Sequence, residues 1–258
     1  MIINNICGGV GNQMFQIAAG YSLALDNNDD YGINYNIQHH LLQGNTKHKY
    51  KDNLFKNVPS TDEVPVNQYQ EPFHHHKEIP YQESGMMLHG YLQSEKYFKH
   101  NADKVKQLFT FPDDVKDRIH KAFGKIRDAY GKRIVGIHVR RGDYLDNPHI
   151  HPTCSPVYYK YAQKSFDDSV FVVATDTPDW VASNLCNDNT ILCNSKDELE
   201  DMYMLTQCDD VIMSNSTFAW WGAWLNNNNP RVIVPKLWFG PGGPQDYEDI
   251  YCDHWEQK

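Results

Sequence analysis

Neither an Asp-x-Asp triplet nor a Cys-x-x-Cys pair occurs in the 258 residues of the chain. The first absence removes a common acidic cradle for a divalent cation beside a nucleotide diphosphate, and the second leaves no redox or zinc motif of that spacing. The six cysteines, at positions 7, 154, 186, 193, 208 and 252, read as free thiols, with a pairing of Cys186 and Cys193 left open. Positive charge is also scarce: 24 Lys and Arg against 33 Asp and Glu give a net charge of −9, which argues against nucleic acid or an anionic membrane as partner. No apolar run is long enough to span a bilayer, and the N-terminus lacks the pattern of a signal peptide. The expectation is a soluble, cytoplasmic protein with no integral membrane segment.

Against this acidic background, residues 137–144, Ile-His-Val-Arg-Arg-Gly-Asp-Tyr, stand out. The β-branched Ile134, Val135, Ile137 and Val139 predict a strand over residues 133–139, ended by Gly142 and Asp143. His138, Arg140 and Arg141 therefore fall at a strand's carboxyl end, where open α/β sheets bind ligands. Arginine presents a rigid fork of donors that matches phosphate oxygens. Taken alone, the pair serves equally well as an exposed basic turn.

The same event recurs downstream. Apolar strands are expected at 169–174, 210–213 and 231–234, with helices at 156–166, 178–185, 196–207 and 217–226. Strands buried on both faces and alternating with helices predict an α/β fold with a parallel sheet. That topology gathers His138, Arg140, Asp176 and residues 214–217 at one sheet edge. Ser214, Ser216 and Thr217 stand at the start of a helix, where N–H groups and the helix dipole favour an anion. With Arg140 they suit a diphosphate. Asp176 reads either as a helix cap before Pro178 or as an acceptor for a base or ribose group. Trp220 and Trp224, on an apolar helix, read as core.

The N-terminal segment Gly9-Val10-Gly11-Asn12-Gln13-Met14 begins like a dinucleotide fingerprint but has Met14 where the third glycine belongs, which argues against a nicotinamide or flavin. A strand at 2–7 and a helix at 13–25 flank a tight glycine turn. Asn12 and Gln13, at the helix start, are candidates to contact a sugar or pyrophosphate, with Gly9 and Gly11 permitting close approach.

Four blocks together carry a family resemblance: GGVGNQMFQIAAGYSLA from Gly8, GYLQSEKYF from Gly90, HVRRGDY from His138 and SNSTFAWWGAWL from Ser214. The chain resembles the α-1,2-fucosyltransferases of glycosyltransferase family 11, over nearly its whole length. The resemblance implies a GT-B-like arrangement of two Rossmann-like lobes, with an acceptor-side lobe at 1–130 and a GDP-fucose-binding lobe with a parallel sheet at 131–258. It implies inverting, metal-independent transfer of L-fucose from GDP-β-L-fucose to the 2-hydroxyl of a terminal galactose in a glycan acceptor, without a cofactor. By the same resemblance Arg140 holds the β-phosphate, with Arg141 in support. His138 and Asp176 contact guanine or ribose, and Ser214, Ser216, Thr217 and Phe218 close over the diphosphate. An inverting displacement also calls for a carboxylate near the acceptor hydroxyl. Asp143 and Glu95 are the candidates, although Asp143 also suits an ion pair with Arg140 or Arg141.

Other signals read more plainly. His74-His75-His76 fits a solvated loop better than a metal site. Asn215-Ser216-Thr217 is a glycosylation sequon placed inside the expected cleft, and Arg141-Gly142-Asp143 lies in a turn that lines it. Residues 226–229 stop a helix. The irregular, Asn- and His-rich residues 26–81 are expected to supply loops that set acceptor choice.

Overall fold

A computed structural model describes residues 1–37 and 47–258, so that positions 38–46 of the expected acceptor-loop region lie outside the described residues. The chain forms two compact units, Met1–Pro112 with Asp246–Cys252, and Asp113–Gln245 with Asp253–Lys258. These differ from contiguous lobes cut at 130/131.

The first unit contains β1 (Ile2–Asn4), α1 (Val10–Asp26), β2 (Tyr31–Ile33), β3 (Asn67–Gln70), β4 (Met86–His89) and α2 (Ala102–Leu108). Its sheet has the order β2-β1-β4-β3, with every neighbouring pair parallel. β1 stops at Asn4, and α1 begins at Val10 rather than Gln13. The reason is the turn between them: Gly8 takes a positive φ of 78° and Gln13 N–H already donates to Gly9 O, which closes the first helical turn. α1 buries Met14, Phe15, Ile17, Ala18 and Ala19. At Gly20 it lies so close to Asn4 and Tyr31 that a Cβ would collide with both.

The histidine run belongs to this unit and lies in a loop, as expected, but a half-buried one whose residues are bonded to the chain. His74 N–H donates to Asp246 at 3.0 Å and His76 N–H to Asp249 at 2.8 Å, while His75 Nδ1 lies 3.1 Å from Asp246. Residues 246–252 are thus tied to the first unit by carboxylates that take main-chain donors from residues 74–76.

The second unit contains α3 (Asp113–Tyr130), β5 (Arg133–Val139), α4 (Pro156–Gln163), β6 (Ser169–Thr175), α5 (Pro178–Asn184), β7 (Thr190–Leu192), α6 (Glu198–Gln207), β8 (Asp210–Ile212), α7 (Thr217–Trp224), β9 (Val232–Val234) and β10 (Glu256–Gln257). The sheet order is β10-β9-β8-β5-β6-β7, and every neighbouring pair is parallel. β5 and β6 are buried along almost their whole length, as expected for central strands covered on both faces. α3 runs up to the expected lobe boundary at 130/131. It is amphipathic, with Val115, Ile119 and Phe123 buried at four-residue intervals, and it packs on α6. A pair of Arg118 with Glu200 of α6 reinforces that contact and one of Arg127 with Asp209 ties α3 to the entry of β8, so α3 belongs with the second sheet.

Trp220 and Trp221 are fully buried in α7, whereas Trp224, expected in the core, is only half-buried. Each completely buried aromatic of this size removes enough apolar surface to stabilise the fold by about 1.5–3 kcal/mol. All six cysteines are free, Cys186 being exposed and Cys193 half-buried.

Candidate active site

Register places the first elements of the site. Val139 of β5 pairs with Thr175 of β6, so the next residues, Arg140 and Asp176, leave the sheet side by side. Arg140 Nη1 lies 3.0 Å from Asp176 Oδ2, and its Nη2 lies 2.7 Å from Asp143 Oδ1. The other oxygen of Asp176 accepts the main-chain N–H of Arg141 at 3.0 Å. Asp176 is therefore not the cap of α5. The cap position is Thr177, whose side chain makes no capping bond, while Thr177 N–H donates to Thr175 Oγ1. Asp143 takes the ion-paired role and stays largely exposed.

On the other side of β5, pairing of Ile137 with Ile212 in β8 brings His138 next to Ser214. His138 Nδ1 and Ser214 Oγ are 2.8 Å apart, and the imidazole stacks on Phe218 with ring centres 5.3 Å apart. Burial, with a smaller contribution from the nearby Arg140 charge, pushes the His138 pKa down to about 3. The ring is therefore a neutral hydrogen-bonding group near pH 7. Arg141 lays its guanidinium over Trp180, 4.2 Å from the ring centre.

α7 starts directly beyond these residues. Ser216 is its N-cap in extended conformation but makes no side-chain capping bond. By contrast, Ser155 caps α4 and Asp197 caps α6 in the usual way. Arg140, Ser214, Ser216, Thr217 and Phe218 thus share one sheet edge, with a helix N-terminus and a guanidinium that favour an anion.

Four groups in this neighbourhood escaped sequence reasoning. The Tyr144 hydroxyl donates to Asn215 O at 3.0 Å, while its ring lies 5.7 Å from the Arg140 guanidinium carbon. The Tyr159 hydroxyl donates to His138 O at 3.3 Å, and that of Tyr158 to Met213 O at 2.7 Å. In the sequence, Asn215 has no role of its own beyond the sequon and its place among residues 214–217. Its signal was an amide among hydroxyl residues directly after an apolar strand, a place where a buried polar side chain must find partners.

The other candidates lie in the first unit. Gly9 caps α1 and Gly11 lies in its first turn. Asn12 Oδ1 accepts from Gln93 Nε2 at 2.9 Å. Gln13 is fully buried and donates through Nε2 to Gly8 O at 2.8 Å, so it braces the glycine turn from within. Glu95 is 8% exposed, with Lys99 3.7 Å away. Glu71, following β3, accepts from Tyr91 N–H at 2.7 Å and from Leu92 N–H at 3.1 Å. It holds a turn in which Gly90 has φ 137° and Leu92 φ 52°.

The profile of Glycosyl transferase family 11 matches residues 3–257. The chain belongs to this family. It is 28% identical to an alpha-1,2-colitosyltransferase of Escherichia coli, over 93% of this chain and 92% of that protein. It is 29% identical to human galactoside alpha-(1,2)-fucosyltransferase 1, over 54% of this chain and 43% of that protein. Among solved structures, fucosyltransferase NodZ from Bradyrhizobium aligns with a TM-score of 0.59 at 15% identity, covering 95% of this chain and 96% of that one. A structure of the alpha-1,6-fucosyltransferase NodZ co-crystallised with GDP aligns with a TM-score of 0.59 at 14% identity. The expected GT-B-like α/β class is the fold found, with a parallel sheet in each unit. As a family 11 member the chain is a glycosyltransferase, and among the described residues no helix is long and apolar enough to cross a membrane.

Proposed function

We propose that this glycosyltransferase moves L-fucose from GDP-β-L-fucose to the 2-hydroxyl of a terminal galactose-type sugar, with inversion and without a metal ion. The observation that carries the reading is Arg140, oriented at the exit of β5 by Asp143 and Asp176 beside the uncapped start of α7. In the displacement the acceptor oxygen attacks the anomeric carbon from the face opposite the nucleotide. The bond from that carbon to the β-phosphate oxygen breaks, and its electron pair leaves with GDP. The Arg140 guanidinium and the α7 N–H groups would meet the developing phosphate charge as preorganised donors. This is the work that a cation held by an Asp-x-Asp motif does elsewhere, and the chain has no such motif.

His138, neutral near pH 7, would act through hydrogen bonding rather than charge. Asn12, in the first turn of α1, is retained as a contact for the sugar or pyrophosphate. The hydroxyl proton needs a carboxylate acceptor, for which Asp143 and Glu95 remain the named candidates; the ion pair with Arg140 favours an anion-site role for Asp143. The colitosyltransferase relative favours a second reading, in which the transferred group is colitosyl rather than fucosyl.

Transfer from GDP-fucose to lactose in EDTA, compared between native protein and Arg140→Ala, tests the proposal. The expected product carries fucose on the galactose 2-hydroxyl by NMR, and the variant loses at least 100-fold in kcat/KM. Tight GDP binding with no release of GDP from GDP-fucose would overturn turnover of this donor. Product formed only from a colitosyl donor would move the second reading ahead.

A further inference from the structure

We propose that Asn215 is the positioning residue of the diphosphate site, holding residues 214–217 in the shape that presents the start of α7. The inference rests on the function proposed above for the identity of the ligand. Asn215 is 2% exposed and uses both ends of its side-chain amide. Nδ2 donates to Trp238 O at 2.8 Å and to Pro152 O at 3.0 Å, and Oδ1 accepts from the Cys154 thiol at 3.6 Å. Its main-chain carbonyl accepts the Tyr144 hydroxyl at 3.0 Å. One side chain thus joins the loop after β8 to the segments that follow β5 and β9. These bonds fix the residue between Ser214, which meets His138, and Ser216, which caps α7 without a side-chain bond.

The neighbouring segments are also joined to each other without Asn215. Gly240 N–H donates to Ile150 O at 2.9 Å and Gly242 N–H to His149 O at 3.0 Å. Loss of the amide should therefore loosen the 214–217 loop while the surrounding arms stay together. The same geometry closes the Asn215-Ser216-Thr217 sequon in the folded chain, because the amide nitrogen that would carry a glycan is buried and already donates twice.

The test compares native protein with Asn215→Ala and Asn215→Asp. Asn215→Asp keeps the size but sets a carboxylate against two carbonyl oxygens. Three readouts are taken on protein shown to unfold cooperatively: GDP affinity by calorimetry, acceptor KM, and hydrogen exchange of amides 216–221. The expected result is GDP binding weakened at least tenfold, acceptor KM within twofold of native, and exchange at 216–218 accelerated at least tenfold with β6 unchanged. A folded variant with native GDP affinity and native exchange in the loop would overturn the proposal. If neither variant folds, Tyr144→Phe removes a single bond to the Asn215 carbonyl. A threefold or greater loss of GDP affinity with faster loop exchange is then expected, and no change in either overturns the inference. Failure of native protein to bind GDP would count against the proposed function instead, while loop exchange would still decide the role of Asn215.

Discussion

Arg140 and Asp176, neighbours at the exits of two paired strands, are joined by an ion pair of 3.0 Å, and the same carboxylate takes the main-chain N–H of Arg141. One side chain therefore fixes the guanidinium of the first arginine and the backbone of the second. Both groups of the pair keep partial solvent contact, so the pair adds only about 0.2–1 kcal/mol to stability. Its larger effect is orientation, since a misplacement of about 1 Å in a catalytic group can cost on the order of 100-fold in rate. Asp176→Ala should lower kcat/KM for the nucleotide sugar by about 10- to 100-fold with little change in melting temperature. Steady-state kinetics and a thermal melt on the same preparation check both halves.

Gly142 should show the same dependence from the opposite side. A Cβ at this position would stand 2.7 Å from Asp176 Oδ2, inside van der Waals contact. Gly142→Ala must push the carboxylate away from Arg140, and its kinetic loss should resemble that of Asp176→Ala. Because both changes act through one contact, the double variant should be no worse than Asp176→Ala alone. A double-mutant cycle measures this, and additive losses would show that Gly142 acts by another route.

His138 makes stability depend on pH in a defined direction. Its folded pKa is held near 3, below the usual 6.5, chiefly by burial. The unfolded chain therefore binds a proton that the folded chain refuses, and this contribution is lost as pH falls from 6.5 toward 3. Its slope approaches about 1.4 kcal/mol per pH unit. Asp201, raised to about 6 mainly by burial, works the other way: the folded state gains stability as pH falls from about 6 toward the unfolded carboxylate value. Comparing native protein with His138→Asn cancels the Asp201 effect. The stability difference between the two should move against native protein by roughly 2 kcal/mol between pH 7 and pH 5 in urea titrations.

Glu71 is the corresponding support in the first unit. It accepts two main-chain N–H groups from a turn whose backbone has positive φ at Gly90 and Leu92. Glu71→Ala leaves those two donors without their carboxylate and should cost about 3–6 kcal/mol, since hydrogen bonds to charged groups contribute about 1.5–3 kcal/mol each. Glu71→Gln keeps one acceptor oxygen and should cost less than half as much by chemical denaturation.

Much of the second unit was legible because its strands carry strong local signals. Residues 133–139 and 169–175 are apolar runs of β-branched residues, and both are strands. Short edge strands such as β7 and β10 were not legible, since two or three residues leave too little pattern. α3 was missed because its apolar residues are few and widely spaced within a charged segment. Arg140 and Ser214 were identified from residue type at strand exits. Asn215 and Tyr144 were not, because their roles depend on partners 63 and 71 residues away.

By itself, the sequence determined the alternation of strands and helices, the absence of the commonest metal and redox motifs, and the placing of an arginine pair and a hydroxyl-rich helix start at strand ends. These follow from local chemistry: side-chain branching, apolar runs and the backbone freedom of glycine. Tertiary structure alone decided that Asp176 orients Arg140 instead of capping a helix, that Gln13 braces a turn from inside, and that Asn215 joins three segments. In each of these cases the side chain had several chemically acceptable partners, and register and packing brought only certain ones within hydrogen-bonding distance.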